Sequence, residues 1–298
     1  MSRKTLSGLL ALSRWKEFLG FVIPLTLLGS LLGTQEGNLG LDFRVIVVLI
    51  GNLLAVAYAF MLNDIEDAAD DSLDPKKKLR NPVSSKRVSK TLAYRACFLT
   101  ALLTLIFYSL AGLWVLWIGL ATLLLSHFYS WKKVRLKAWP VVDIVSHSLM
   151  LSGLLILSGY YAYETSPGVV WFVIAGAILF SVYGQLYNQL RDFKVDKRAG
   201  LKNTAIMVGQ DNTQMLLYIS LLLGVICLAF ATYKGVFPVW IGLIAIASGI
   251  LTKKYRAKTD IGGTAAIDVT ATFQLQAELV VNATVLSWLA VEVIKQLF

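Results

Sequence analysis

Charge is what this sequence has least of. Lys, Arg, Asp and Glu make up 15% of its 298 residues and hydrophobic residues 57%, whereas a soluble domain is about 25% charged. So little polar surface excludes an ordinary water-soluble globule and points to a chain built for lipid. Acid is scarcer than base, 18 residues against 28, leaving a net charge of +10. Basic residues interleaved with aromatics in a separate domain are also missing, so no nucleic-acid partner is expected, and the excess reads as a membrane-topology signal. Cysteine is limited to Cys97 and Cys227, each inside a long apolar run. That spacing suits neither a zinc site nor a secreted disulfide framework.

Long apolar runs, by contrast, are abundant. A bilayer core takes roughly 20 mostly apolar residues per helical span. Nine such runs lie at about 17–33, 43–63, 92–111, 112–130, 141–162, 168–190, 212–233, 235–252 and 272–297. The expected fold is all-α: a polytopic membrane helix bundle of nine transmembrane helices forming one domain over residues 1–298. The first run is short, but Leu9, Leu10, Leu12, Trp15 and Lys16 make an interfacial lead-in rather than a signal peptide. All but three of the 28 Lys and Arg residues fall before the first run or after the second, fourth, sixth and eighth; the exceptions are Arg44, Lys234 and Lys295. The positive-inside rule therefore places the N-terminus and these loops in the cytoplasm and the C-terminus outside.

Two patterns recur along the chain. Asn63, Asp67 and Asp71 reappear as Asn188, Asp192 and Asp196, an offset of 125, and Lys132–Lys137 reappears as Lys253–Lys258, an offset of 121. Similar offsets imply one duplication of a four-helix unit, with pseudo-repeats at about 17–137 and 141–258 and a ninth helix at 272–297. An even number of helices per unit puts both acidic motifs on the same face.

On a helix, residues at i, i+4 and i+8 line one stripe. Two facing Asn-Asp-Asp stripes gather more negative charge than lipid tolerates unpaired. They are either neutralised by neighbouring lysines or built to hold a cation. Hard oxygen donors suit Mg²⁺, which prefers a few carboxylates together with phosphate oxygens. Lys76–Arg80 follows the first motif, Arg191, Lys194, Lys197, Arg198 and Lys202 interleave with the second, and Tyr129 and Lys133 share a helical face. Carboxylates for metal beside Lys and Arg for phosphate make a diphosphate constellation, in which Asp64, Asn188 and Lys197 are further candidates.

The chain resembles the UbiA superfamily of intramembrane prenyltransferases along its whole length. The resemblance rests on Asn63-Asp64-x-x-Asp67-x-x-x-Asp71, Arg80-Asn81-Pro82, Tyr129-x-x-x-Lys133 and Asp192-x-x-x-Asp196-x-x-x-Gly200. It implies helices around a central cavity, a hydrophobic acceptor substrate, and Mg²⁺ with an isoprenyl diphosphate donor held by Asn63, Asp67, Asp71, Asp192 and Asp196. Arg80, Tyr129 and Lys133 are then diphosphate contacts. Many members have Arg-Pro where this chain has Asn81-Pro82, which leaves Arg80 one place out of register. The implied acceptor is aromatic or quinone-type first, with a glycerol-phosphate lipid or carotenoid next. Intramolecular capture, as in a terpene cyclase, is a further alternative.

A cation-coupled transporter is the rival from another class, but coupling sites lie near the bilayer midplane whereas these aspartates fall at helix ends. Among the other polar residues, Asp143, Ser146 and His147 share a helical face and are candidates to orient an acceptor or simply to pack. His127 and Asn52 read as interhelical contacts, and Gln274, Glu278 and Asn282 as a stripe facing the bundle interior. Lys132–Lys137 and its copy read mainly as cytoplasmic anchors.

Overall fold

The computed structural model describes residues 3–34, 42–166, 168, 170–198 and 200–298. The side chain of Lys4, counted above among the basic residues, lies outside the described residues. Helices α1 (Arg3–Leu12), α2 (Trp15–Gly33), α3 (Phe43–Asp71), α4 (Pro75–Arg80), α5 (Lys90–Ala111) and α6 (Leu113–Ser130) form the first half. In the second half α7 (Val142–Ser148) passes through a π turn at Leu149–Gly153 into α8 (Leu154–Tyr160). Then come α9 (Val170–Arg198), α10 (Thr204–Val208), α11 (Gln210–Tyr233), α12 (Trp240–Leu251) and α13 (Gln274–Leu297). Apart from one isolated bridge between Thr259 and Ala265, the described residues contain no β-structure.

Among the described residues eight helical segments are long and apolar enough to cross a membrane, and the chain is an integral membrane protein. The eighth expected span is shorter than its apolar run: the chain turns at Gly235, with φ 72°, and α12 starts only at Trp240 and has 12 residues, a rise of about 18 Å. Composition registers the run but not where the backbone starts to coil.

Local chemistry sets the helix starts. Asp42 accepts from the Val45 amide at 3.0 Å and Ser89 from Leu92 at 3.3 Å, capping α3 and α5. Asp74 accepts from the Lys76 and Lys77 amides ahead of Pro75 and so caps α4. Gly112, at φ 136°, alone separates α5 from α6.

Helices α9 and α11, α3 and α5, and α2 and α8 pair most extensively. Glycine lets α2 and α8 approach: a Cβ on Gly159 would stand 2.4 Å from the Thr26 carbonyl, and one on Gly29 would stand 2.1 Å from that of Ile156. Beside that seam the fully buried Asn52 of α3 donates to Thr26 Oγ1 at 2.7 Å and to the Leu155 carbonyl at 3.1 Å. It accepts from Tyr108 at 2.7 Å and Ser158 at 2.8 Å, so one amide joins α2, α3, α5 and α8 as the sequence suggested.

Candidate active site

Helices α3 and α9 each run 29 residues, about 44 Å against a hydrocarbon core of about 30 Å. The extra turns carry the acidic motifs. At the end of α3, Asp67 accepts from Lys137 Nζ at 2.5 Å and from Arg135 Nη2 at 3.4 Å. The same Lys137 donates to Asn63 Oδ1 at 2.8 Å, and Arg135 also reaches Asp70 at 3.2 Å. Burial pulls the Lys137 ammonium below its ordinary range, and Asp67 opposes that pull. Asp71 accepts from Asn81 Nδ2 at 2.8 Å, and Asn81, fully buried, donates to the Asp64 carbonyl at 2.8 Å as well. Glu66 is held by Tyr94 at 2.7 Å and by the Lys132 amide at 3.2 Å.

The second motif is more open. Asp192 is exposed and bound by its neighbour Arg191 at 3.2 Å, while Asp196 accepts from Asn203 at 3.0 Å. Lys77 of α4 lies within electrostatic reach of Asp196, so the segment after the first motif extends towards the second. Arg191 also donates to the buried Asp260 at 3.0 Å, fastening the loop before α13 to the end of α9. Burial alone would raise the Asp260 carboxyl, but hydrogen bonds from Thr264 and the Arg191 guanidinium outweigh it and hold the group below its usual range.

Deeper in the bundle lies a cavity of ≈ 170 Å³ lined by Ala59, Phe60 and Asn63 of α3, Tyr129 and Ser130 of α6, His147, Met150 and Leu151 around the π turn, and Gln185 of α9. Asn63 joins it to the first motif. Gln185 donates to the Tyr129 hydroxyl at 3.4 Å, and the Tyr129 and His147 rings are 6.1 Å apart.

Several expected residues fall elsewhere. Asp64 is fully buried and bound by Arg14, with Arg14 Nε 3.2 Å from Oδ2. Arg80 is exposed and paired with Glu17 at 2.5 Å. Lys133 lies beyond the end of α6 at Ser130 and is exposed over the Trp131 ring at 5.5 Å, so it does not share a helical face with Tyr129. Asn188 is exposed, and Lys197 lines a shallow surface pocket with Lys194 and Arg198. The Asp143, Ser146 and His147 face divides. Asp143 is fully buried and saturated by Gln189 and Thr204, Ser146 bonds the Val142 carbonyl, and only His147 reaches the cavity. His127 Nδ1 meets the Tyr58 hydroxyl at 2.9 Å, an interhelical contact as expected. Sequence reasoning missed Arg14, Asn81, Arg135 and Lys137. The signal for Asn81 was its replacement of Arg; Arg135 and Lys137 were hidden in a basic run that also serves topology.

A sequence model of the UbiA prenyltransferase family matches residues 22–267. The chain belongs to that family. Among curated relatives it is 30% identical over 214 residues to a lycopene elongase/hydratase of Haloarcula japonica, covering 70% of each chain. It is 30% identical over 176 residues to one of Haloferax volcanii, covering 56% of this chain and 54% of that one. With a third, of Corynebacterium glutamicum, it shares 23% over 151 residues, 50% of this chain and 52% of that one. The match thus spans about half the length of the latter two. A UbiA homolog from Archaeoglobus fulgidus bound to GPP and Mg²⁺ superposes with a TM-score of 0.73 at 20% identity, covering 96% of this chain and 99% of that one. The apo UbiA homolog from Aeropyrum pernix K1 gives a TM-score of 0.68 at 16% identity, covering 94% and 98%. At these identities the likeness is one of fold.

Proposed function

We propose that the chain transfers an isoprenyl group from an isoprenyl diphosphate to an uncharged lipophilic acceptor within the membrane. The observation that carries this reading is the placement of two carboxylate sets on the overhanging ends of α3 and α9, the first of them joined through Asn63 to a cavity walled by membrane spans. Asn63, Asp67, Asp71, Asp192 and Asp196 offer only oxygen donors, and among the described residues no three carboxylate, histidine or cysteine side chains are grouped to hold a metal ion by themselves. That donor set fits Mg²⁺ whose shell is completed by phosphate oxygens. When bound, the ion neutralises charge on the departing diphosphate. Lys137 and Arg135, now on Asp67, are placed to turn to phosphate oxygens. Tyr129 closes the cavity side, and the apolar spans keep water from the allylic cation.

The cavity lining contains no Lys or Arg to hold an acidic aromatic acceptor. Together with the names of the relatives, this moves the preferred acceptor from the aromatic class to a lycopene-type polyene. We further read the equal lengths of α3 and α9 as support for a duplicated four-span unit, with both motifs in the cytoplasm.

The test is purified chain in nanodiscs with Mg²⁺, dimethylallyl diphosphate and lycopene, following diphosphate release and product mass. The expected product is lycopene extended by five carbons, with EDTA stopping turnover. Asp67→Asn and Asp192→Asn should each lower the rate by about 10²-fold or more while the protein remains folded. A cyclic hydrocarbon formed from a longer donor such as geranylgeranyl diphosphate, without added acceptor, would indicate cyclisation instead. Wild-type chain that releases no diphosphate from any isoprenyl donor overturns the enzyme reading.

A further inference from the structure

Among the described residues only two buried side-chain polar atoms lack a hydrogen-bond partner, and they are adjacent: His147 Nδ1 and Ser148 Oγ. Unpaired buried polar atoms are rare enough in native proteins that each calls for a reason. His147 lines the cavity; Ser148 does not. The cavity's other polar side chains are already engaged: Asn63 with Lys137 and Ser130, Tyr129 with Gln185. The imidazole stands at the end of α7, immediately before the π turn whose Met150 and Leu151 wall the same space. Single π turns within helices recur at functional sites.

A hydrocarbon acceptor has no polar atom to offer Nδ1. What reaction with it does generate is a proton. When the donor C1–O bond breaks, its electron pair leaves with diphosphate. An acceptor π pair then forms the new bond to C1 and leaves a cation on the adjacent acceptor carbon. Restoring a double bond requires a neighbouring C–H to release its proton while its electron pair fills the cation. An imidazole that lines a cavity beside the first acidic motif, and is hydrogen-bonded to none of that motif's residues, is equipped to receive that proton on a ring nitrogen. We propose that His147 is the proton acceptor that completes prenyl transfer, taking the proton on an imidazole nitrogen and passing it afterwards to water or the departing diphosphate. The proposal rests on the transferase reading above and adds the residue that terminates the reaction.

Two measurements test it on the full chain in nanodiscs. The first needs no acceptor. The sequence has only two histidines, so ¹⁵N-histidine labelling gives two imidazoles, one of them His127, already engaged by Tyr58. Dimethylallyl diphosphate with Mg²⁺ should shift the His147 resonances, and inorganic diphosphate with Mg²⁺ should leave them in place. No shift with dimethylallyl diphosphate, or equal shifts with both probes, overturns the proposal whatever the acceptor proves to be.

The second compares wild type with His147→Asn and His147→Phe on lycopene. The variants should lose about 10²-fold in kcat with donor KM unchanged, or divert product from alkene to the water-captured alcohol. Variants that keep wild-type kcat and product ratio overturn the proposal. So does a wild-type alcohol that becomes alkene in the variants, because His147 would then be holding water. Wild-type chain inert towards lycopene counts against the acceptor assignment alone, since the imidazole shifts decide the role of His147.

Discussion

Asp64 and Asp67 stand three residues apart on one helix, yet their surroundings give them different work. Asp64 is fully buried with Arg14 as its counter-ion, whereas Asp67 faces Lys137 and Arg135 where a phosphate can replace it as their partner. Removing one member of a buried ion pair leaves the other charge uncompensated and typically costs about 3–5 kcal/mol. Arg14→Met should therefore lower unfolding stability by about that much in detergent, whereas Asp67→Asn, which keeps a side-chain oxygen for Lys137, should cut turnover by about 10²-fold or more with a smaller loss of stability. Urea titration alongside diphosphate release separates the two. Asp260 supplies a pH dependence. Its folded-state pKa lies below the unfolded value, so its contribution is fully present above the ordinary Asp range of about 3.9 and is lost as pH falls through the folded value. The apparent unfolding midpoint should decline on acidification in wild type, and Asp260→Asn should lack that component while being less stable at neutral pH. Sequence spacing identified the carboxylates because period four on a helix is a local property. It did not identify their partners: Lys133 and Lys137 lie four residues apart in the same basic run, and only the path of the connection before α7 turns one inward.

At the scale of elements, apolar run length located the spans well because hydrophobic thickness sets them directly. It understated α3 and α9, whose final turns are polar and continue only because nothing breaks the helix before Ser72 and Gly200. It overstated α12, which starts only at Trp240. The seam between α2 and α8 is a further feature that periodicity does not reveal, since glycine in an apolar run carries no hydrophobic signal. Gly159→Ala places a methyl 2.4 Å from the Thr26 carbonyl, a backbone atom that cannot rotate away. The two helices must separate, and the bonds of Asn52 to Thr26 and Ser158 must lengthen with them. A loss of about 1–3 kcal/mol is expected from such overpacking. Gly184→Ala on α9, where a Cβ meets nothing within 4 Å, is the control and should unfold at wild-type denaturant concentration.

Across the whole molecule, the short α12 raises the question of how many times the chain crosses the bilayer, and an ion pair far from α12 answers it. Helix α11 begins at Gln210, shortly after α9 ends, and extends 24 residues, about 36 Å, to the opposite face. Asp260 is nevertheless bonded to Arg191 near the starting face. Residues 234–260 must therefore traverse the bundle, α12 supplying about 18 Å and its non-helical flanks the rest. That crossing keeps Lys253, Lys254 and Lys258 on the same side as the lysines around both acidic motifs, in agreement with the charge distribution. Single cysteines test the arrangement against Cys97, which is buried, and Cys227, which is half-buried. Lys78→Cys, Lys194→Cys and Lys254→Cys should react with an impermeant maleimide only from the cytoplasmic face, and Lys234→Cys only from the other. Labelling of Lys254→Cys from the outer face would mean that α12 turns back, would separate Asp260 from Arg191, and would leave the end of α9 without the loop that fastens it.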